Sequence, residues 1–68
     1  MRDSRNQEFW IRLQGSTIKV FLKNGFKYEG ILKAVCQDFL DILDFKLNSS
    51  KIVRIEDIQD LEVLENGS

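Results

Sequence analysis

An aromatic side chain stands among lysines on the polar face of an alternating segment. Between residues 17 and 23 the apolar side chains occupy every second position, apart from Phe21, which shares its strand face with Lys19 and Lys23. An exposed aromatic ring stacks on an unpaired base with about 1–3 kcal/mol, and lysines beside it neutralise phosphate. This chemistry suits single-stranded RNA. Two alternatives stay open: Phe21 packs under a preceding helix, and the lysines are ordinary solvated sheet residues.

The thiol and carboxylate residues give no support for catalysis. The chain has no His and a single Cys, Cys36. Asp38, Asp41 and Asp44 recur every three residues, but an extended strand does not bring such a series to one point, and the Gly and Glu of an EF-hand are missing. We interpret these carboxylates as solubilising loop and edge charges and Cys36 as a small buried hydrophobe. The sequence therefore predicts a protein that is not an enzyme and has no cofactor or metal.

The length of the chain limits how it can be stabilised. Its 68 residues form at most one domain, 1–68. A chain of about 60 residues buries only roughly 60% of the surface that it exposes when unfolded. The single Cys excludes an internal disulfide, and a closed zinc site needs about four N or S ligands. Oligomerisation is therefore the expected source of further stability.

The composition predicts a globular cytoplasmic domain. Hydrophobic residues make up 43% of the chain and charged residues 31%, which is typical of a folded domain. No apolar run approaches the ~20 residues of a membrane span, and the N-terminus lacks the apolar core of a signal peptide. Together with the free thiol, these features favour the cytoplasm and no membrane partner.

The net charge of −1 conceals an asymmetry between the two halves. Residues 1–33 carry seven Lys/Arg and three Asp/Glu, which gives +4, whereas residues 34–68 carry three and eight, which gives −5. A surface that binds a polyanion is therefore expected to be local and built mainly from the first half. An ordinary mixed-charge surface is the alternative.

A short helix is predicted over about residues 5–14. The run Ser4-Arg5-Asn6-Gln7 has the form of a capping box, Phe9 and Trp10 give the helix an aromatic face, and Gly15 suits the left-handed position that ends helices. So short a helix is unstable alone. We therefore expect its aromatic face to dock on an open end of a sheet.

Five strands are predicted to follow the helix. Asn24-Gly25 is a strong hairpin signal because both residues tolerate the positive φ of tight turns. Gly30 permits a sharp bend or a close backbone approach inside the second strand, and Glu56-Asp57-Ile58 predicts one tight turn before the last strand. The strands are expected at about residues 17–23, 26–35, 39–45, 51–55 and 60–64.

The predicted fold class is mainly β, with a short N-terminal helix followed by five antiparallel strands. So small a sheet has exposed edges that must be covered, closed or paired. The last strand is short and apolar on one face, which suits pairing with a neighbouring subunit.

The first hairpin carries a resemblance to a known superfamily. Residues 18–32 read I-K-V-F-L-K-N-G-F-K-Y-E-G-I-L, which is similar to the x-L-x-N-G-x-x-x-x-G-x-L hairpin of the Sm/LSm/Hfq superfamily. Residues 53–58, V-R-I-E-D-I, resemble the I-R-G-x-x-I segment of Sm proteins, with Ile55 at the position of the Gly. The resemblance covers roughly residues 6–64 and indicates an Hfq-like or a bacterial or archaeal Sm-like protein.

This resemblance implies both an architecture and an assembly. The fold would be a strongly bent, five-stranded, SH3-like barrel. Members form rings of six or seven subunits, a hexamer or heptamer joined by pairing between the fourth and fifth strands of neighbours. A ring would also supply the stability that the length of the chain requires.

The resemblance further implies an RNA site on the first hairpin, because Hfq proteins bind purine-rich RNA there. Phe21 stands in place of an aromatic Tyr, Tyr28 in place of an apolar residue, and Glu29 in place of a Gln. The implied RNA-binding residues of this face are Phe21, Asn24, Gly25, Lys27, Tyr28 and Glu29.

A second implied site lies near the pore, where Sm proteins bind uridine. The matching residues are Gln37, Asp38, Phe39 and Arg54. The chain departs from the pattern, because Cys36 stands at the position of an Asp, Leu40 at that of an Asn, and Arg54-Ile55-Glu56 at that of the Tyr-Lys-His of Hfq proteins. As alternatives, Phe39 is a core residue, and Arg54 forms an ion pair with Glu56 or Asp57.

Three functions are compatible with these features. The first is a ring that binds single-stranded RNA and acts as an RNA chaperone or post-transcriptional regulator. The second is a protein-interaction scaffold ring with a degenerate RNA site, which the departures at the pore and the acidic second half favour. The third is a different, monomeric SH3-like barrel.

Overall fold

The computed structural model describes residues 7–67, with the backbone alone for Gln7. The first three residues of the expected capping box, Ser4, Arg5 and Asn6, lie outside the described residues. The elements in chain order are α1 (Gln7–Arg12), β1 (Thr17–Leu22), β2 (Lys27–Val35), β3 (Phe39–Asp44), β4 (Ser49–Arg54), a single 3-10 turn (Ile55–Asp57) and β5 (Ile58–Glu65).

The strands form one antiparallel sheet in the order β4-β3-β2-β1-β5. β1 pairs with β2 on one side and with β5 on the other, so β4 and β5 are the two edges. The predicted mainly β fold with a short N-terminal helix is confirmed. β4 begins two residues earlier than expected because Ser49 and Ser50 continue the pairing with β3. β5 begins at Ile58, which is buried opposite Leu22.

The core lies on one face of the sheet and includes one helix residue. Trp10 of α1 is fully buried, and the Phe9 ring packs edge-on against it with centroids 5.2 Å apart. Fully burying a large apolar side chain contributes about 1.5–3 kcal/mol, so Trp10 anchors a helix of only six residues. The core residues are Trp10, Ile18, Val20, Leu32, Leu40, Ile42, Val53 and Ile58.

Two glycines act as the sequence predicts. Gly15, three residues after the end of α1, has a φ of +92°, and its amide donates to the carbonyl of Leu32 at 2.8 Å. Gly30 pairs with Asp44, and a Cβ on it would lie 1.8 Å from the carbonyl oxygen of Leu43. Only a residue without a side chain permits this close approach of β3 to β2.

Four expectations for β3 and for the connection that precedes it are wrong. Asp44 is buried instead of solubilising the surface, since it shares the core face with Ile42, and its Oδ1 accepts the amide of Leu47 at 3.0 Å. Asp41 is half-buried instead of being a solvated edge charge, because β4 pairs beside it. Cys36 is a free, half-buried thiol. Phe39 is exposed instead of being a core residue, because the alternation of β3 gives the core positions to its neighbours.

The described part of the chain, residues 7–67, contains no helix with the length and apolar character needed to cross a bilayer.

Candidate nucleic-acid interface

The pairing of β1 with β2 brings two lysines, a phenylalanine and a glutamate to the face of the sheet opposite the core. Lys19 lies opposite Glu29, and Phe21 lies opposite Lys27. All four point away from the core because Ile18 and Val20 alternate with them along β1. The row continues onto the β3–β4 connection, where the amide of Phe45 donates to the carbonyl of Glu29 at 3.0 Å.

Three of these four residues, Lys19, Lys27 and Glu29, line an open pocket of about 440 Å³, which we call the hairpin-face pocket. Three of its six lining residues are lysines, and the single aromatic among them is Phe45, whose side chain is 51% exposed. The pocket is lined by Lys19, Lys27, Glu29, Asp44, Phe45 and Lys46. Proteins that bind single-stranded nucleic acids combine exposed aromatic rings with several cations in this way.

The ring of Phe21 is partly covered by a neighbouring cation. The Lys19 ammonium lies 5.6 Å from the centroid of the Phe21 ring, within cation–π range, which contributes about 0.5–1 kcal/mol at an exposed site. Phe21 is half-buried and is not among the lining residues of the pocket. The predicted packing of Phe21 under the helix is not seen, since the side chains that pack against the core do not include it. Phe45 is therefore the more exposed of the two rings.

The remaining residues predicted for the hairpin face have other positions. Asn24 and Gly25 form the turn: the Asn24 Oδ1 accepts the amide of Phe26 at 3.0 Å, and Gly25 has a φ of +97°. Tyr28 lies opposite Val20 and packs against the core. Three of the six predicted residues, Phe21, Lys27 and Glu29, are thus brought to one face.

Sequence reasoning missed Phe45 and Lys46 as site residues. Both follow the end of β3, where the alternation that assigns residues to faces stops. The strand register is what brings them to the site, because Gly30 opposite Asp44 places Phe45 opposite Glu29. That register follows from the contact of Gly30 with β3, which a sequence pattern does not reveal.

The residues predicted for the pore face lie at the other end of β3. Phe39 is directly opposite Arg54, and Gln37 and Asp38 are exposed in the preceding connection. The Arg54 guanidinium forms an ion pair with the Glu56 carboxylate, so the ion-pair alternative is the one observed. Any phosphate at this end would therefore compete with Glu56 for the guanidinium.

The two edge strands carry opposite charges. β4 contains Lys51 and Arg54 and no acid, whereas β5 contains three acids, Asp60, Glu62 and Glu65, and no base. Apolar side chains are exposed along both edges, with Ile52 on β4 and Val63 and Leu64 on β5. The edges therefore have complementary charge together with apolar surface.

The described residues, 7–67, contain no group of three or more His, Cys, Asp or Glu side chains that could hold a metal ion.

Comparison with solved structures identifies the class of fold. The short N-terminal helix and the five-stranded antiparallel sheet are consistent with the Sm/LSm fold. The chain is similar to the LSM domain of Dm EDC3 (Enhancer of Decapping 3), solved in solution, with a TM-score of 0.68 and 14% sequence identity. The similarity covers 84% of this chain and 64% of that chain, which is less than two thirds of the length of the neighbour. No family model and no curated protein matches the sequence.

Proposed function

We propose that this chain binds single-stranded RNA through the hairpin-face pocket, as one subunit of a ring, and acts as an RNA chaperone or post-transcriptional regulator. The observation that carries the proposal is the convergence of three lysines and an exposed Phe45 in one pocket of an Sm-type fold. Stacking on the ring would hold a base, and the ammonium groups would hold the phosphates on either side of it.

The lysines of the pocket are available for phosphate. Among residues 7–67 the only ion pairs are Arg12 with Glu8 and Arg54 with Glu56, so Lys19, Lys27 and Lys46 have no carboxylate partner. A single-stranded nucleic acid that contacts three cations loses affinity with a slope of about −2 in log K against log salt. Salt dependence is therefore the most direct signature of this site.

The edges supply the argument for a ring. The basic β4 of one subunit and the acidic β5 of the next attract each other, and pairing them would satisfy backbone groups that an edge strand leaves open. Such a contact joins two different surfaces, so repetition closes a ring when the rotation permits. Repeating one pocket around the ring would turn weak sites into avidity.

We further propose that the chain acts in the cytoplasm and is not an enzyme. The single thiol, Cys36, suits the reducing cytoplasm, where we place the activity. The residues that line the pocket are three lysines, two acids and one phenylalanine, and we propose that they bind a ligand and do not catalyse a reaction.

The test is fluorescence anisotropy of labelled oligo(A) and oligo(U) with the purified chain, combined with native mass spectrometry. Phe45→Ala and Lys27→Ala should each weaken RNA binding at least several-fold and leave the mass of the assembly unchanged. Lys33→Ala is the matched control, because Lys33 is exposed on β2 outside the pocket. Equal affinity of the two pocket variants and wild type would contradict the RNA site, and a monomeric mass would contradict the ring.

A second candidate is a protein-binding scaffold of the same fold. The exposed Phe39 and Ile52 share one face of β3 and β4, next to Arg54, which is ion-paired with Glu56. This apolar surface favours a protein ligand over phosphate. Salt separates the two functions: a complex held by phosphate contacts weakens steeply as salt rises, and an apolar contact does not.

A further inference from the structure

The hairpin-face pocket contains a carboxylate, that of Glu29, which has no side-chain partner within the described part of the chain. Glu29 lies opposite Lys19 on β1 and beside Phe45, to which its carbonyl is hydrogen-bonded. Across residues 7–67, the Glu29 side chain takes part in no hydrogen bond and no ion pair, and the Lys19 ammonium lies over the Phe21 ring instead. The pocket therefore combines a free acceptor group with the stacking ring.

A free carboxylate discriminates among bases because it accepts hydrogen bonds and donates none when ionised. Its two oxygens suit a pair of adjacent N–H donors. Guanine presents such a pair on its Watson–Crick edge, N1–H and the N2 amino group. Adenine and cytosine each place a ring-nitrogen acceptor beside the amino donor, and uracil flanks its one N–H with two carbonyl oxygens. Each of these three bases would leave an acceptor facing the carboxylate.

The positively charged neighbours of Glu29 offset its negative charge, which would otherwise repel RNA. The lysines of the pocket outnumber its two acids, and Asp44 is already hydrogen-bonded to the amide of Leu47. The volume of the pocket, about 440 Å³, lies within the range of roughly 300–1,000 Å³ that is typical of small-ligand sites. One nucleotide is thus an occupant of suitable size.

We propose that the hairpin-face pocket selects guanine in single-stranded RNA, with the base stacked on Phe45, its N1–H and N2–H donating to the Glu29 carboxylate, and its flanking phosphates on the lysines. This inference rests on the proposed RNA-binding function and adds base selectivity to it. Glu29 is the specificity residue, because the stacking and the phosphate contacts are the same for every base.

The experiment compares short A-rich oligonucleotides that differ at one central position, which is G, A, C, U or inosine. Inosine keeps N1–H and lacks the N2 amino group, so it removes one of the two proposed bonds. Wild type should bind the G oligonucleotide roughly tenfold more tightly than the A, C and U ones, as expected for hydrogen bonds to a charged group, with inosine between. E29Q should lose this preference and keep its salt slope, while K33A should behave as wild type.

The outcomes separate this inference from the proposed function. Equal binding of all five oligonucleotides by wild type, or an unchanged guanine preference in E29Q, would overturn the base selectivity and leave RNA binding intact. Failure of every oligonucleotide to bind would overturn both. Competition with free GMP tests whether the pocket binds guanine in RNA or as a free nucleotide. Displacement of RNA by equimolar GMP would show a site for the free nucleotide and would overturn the RNA assignment.

Discussion

Removing two pocket lysines should change the salt dependence of RNA binding by an amount that the structure sets. Lys19, Lys27 and Lys46 line the hairpin-face pocket and have no carboxylate partner among residues 7–67. With about 0.7 counterions released per single-strand phosphate contact, three contacts reduce affinity roughly 20-fold between 50 and 200 mM salt. In K27A/K46A only Lys19 remains, and the same increase in salt should reduce affinity about threefold.

The assay is anisotropy titration of a tetranucleotide, whose three phosphodiester groups match the three lysines of one pocket, at four salt concentrations. The control R12A/K33A removes the same charge from exposed positions outside the pocket, so both variants have the same net charge. The control should retain the wild-type slope. If the two double variants show equal slopes, the lysines act through net charge alone, and the assignment of phosphates to the pocket is wrong.

Two further predictions concern the fold and the assembly. Gly30→Ala should destabilise the domain by about 1–3 kcal/mol or more in chemical denaturation, because the new Cβ would lie 1.8 Å from the carbonyl oxygen of Leu43. Gly25→Ala, which meets no atom within 4 Å and carries only the strain of its φ of +97°, should cost about 1–2 kcal/mol, and the reverse order would refute the steric explanation. Glu62→Lys with Glu65→Lys should reduce the mass found by light scattering toward the monomer, because both edges would then be basic. An unchanged mass would exclude charge pairing of β4 with β5.

The fold was predictable because local signals agreed with each other. The alternation of β1, the turn at Asn24-Gly25 and the missing side chain at Gly30 all point to the same hairpin, and the structure contains it. The burial of Asp44 was not predictable, since it depends on a turn whose amide at Leu47 reaches back to the carboxylate. Local chemistry shows that an Asp can accept such a bond, but not that the chain brings the donor to it.

The site was half predictable for a related reason. Lys27 and Glu29 follow from strand alternation alone, which assigns them to the face of Phe21. Tyr28 was placed at the site by resemblance, although the same alternation puts it on the core side. Phe45 and Lys46 come from the far side of β2, and only three-dimensional pairing brings them to the pocket.

A final prediction ranks the contributions of Phe45 and Phe21, the two aromatic residues near the hairpin-face pocket, to RNA binding. Phe45 is open, whereas Phe21 is half-buried and carries Lys19 over its ring. Phe45→Ala should therefore cost about 1–3 kcal/mol of RNA affinity, the value of one stacked base. Phe21→Ala should cost less, because its effect would come from losing the position of Lys19.

A double-mutant cycle tests this indirect role. If Phe21 acts by positioning Lys19, F21A should have little effect once K19A is present, so the two losses should not add. F26A is the control, because Phe26 is 64% exposed at the turn and does not line the pocket. Additive losses of Phe21 and Lys19, with F21A more harmful than F45A, would mean that RNA displaces the ammonium and stacks on Phe21 itself. The base would then lie over β1 rather than at the β3–β4 connection.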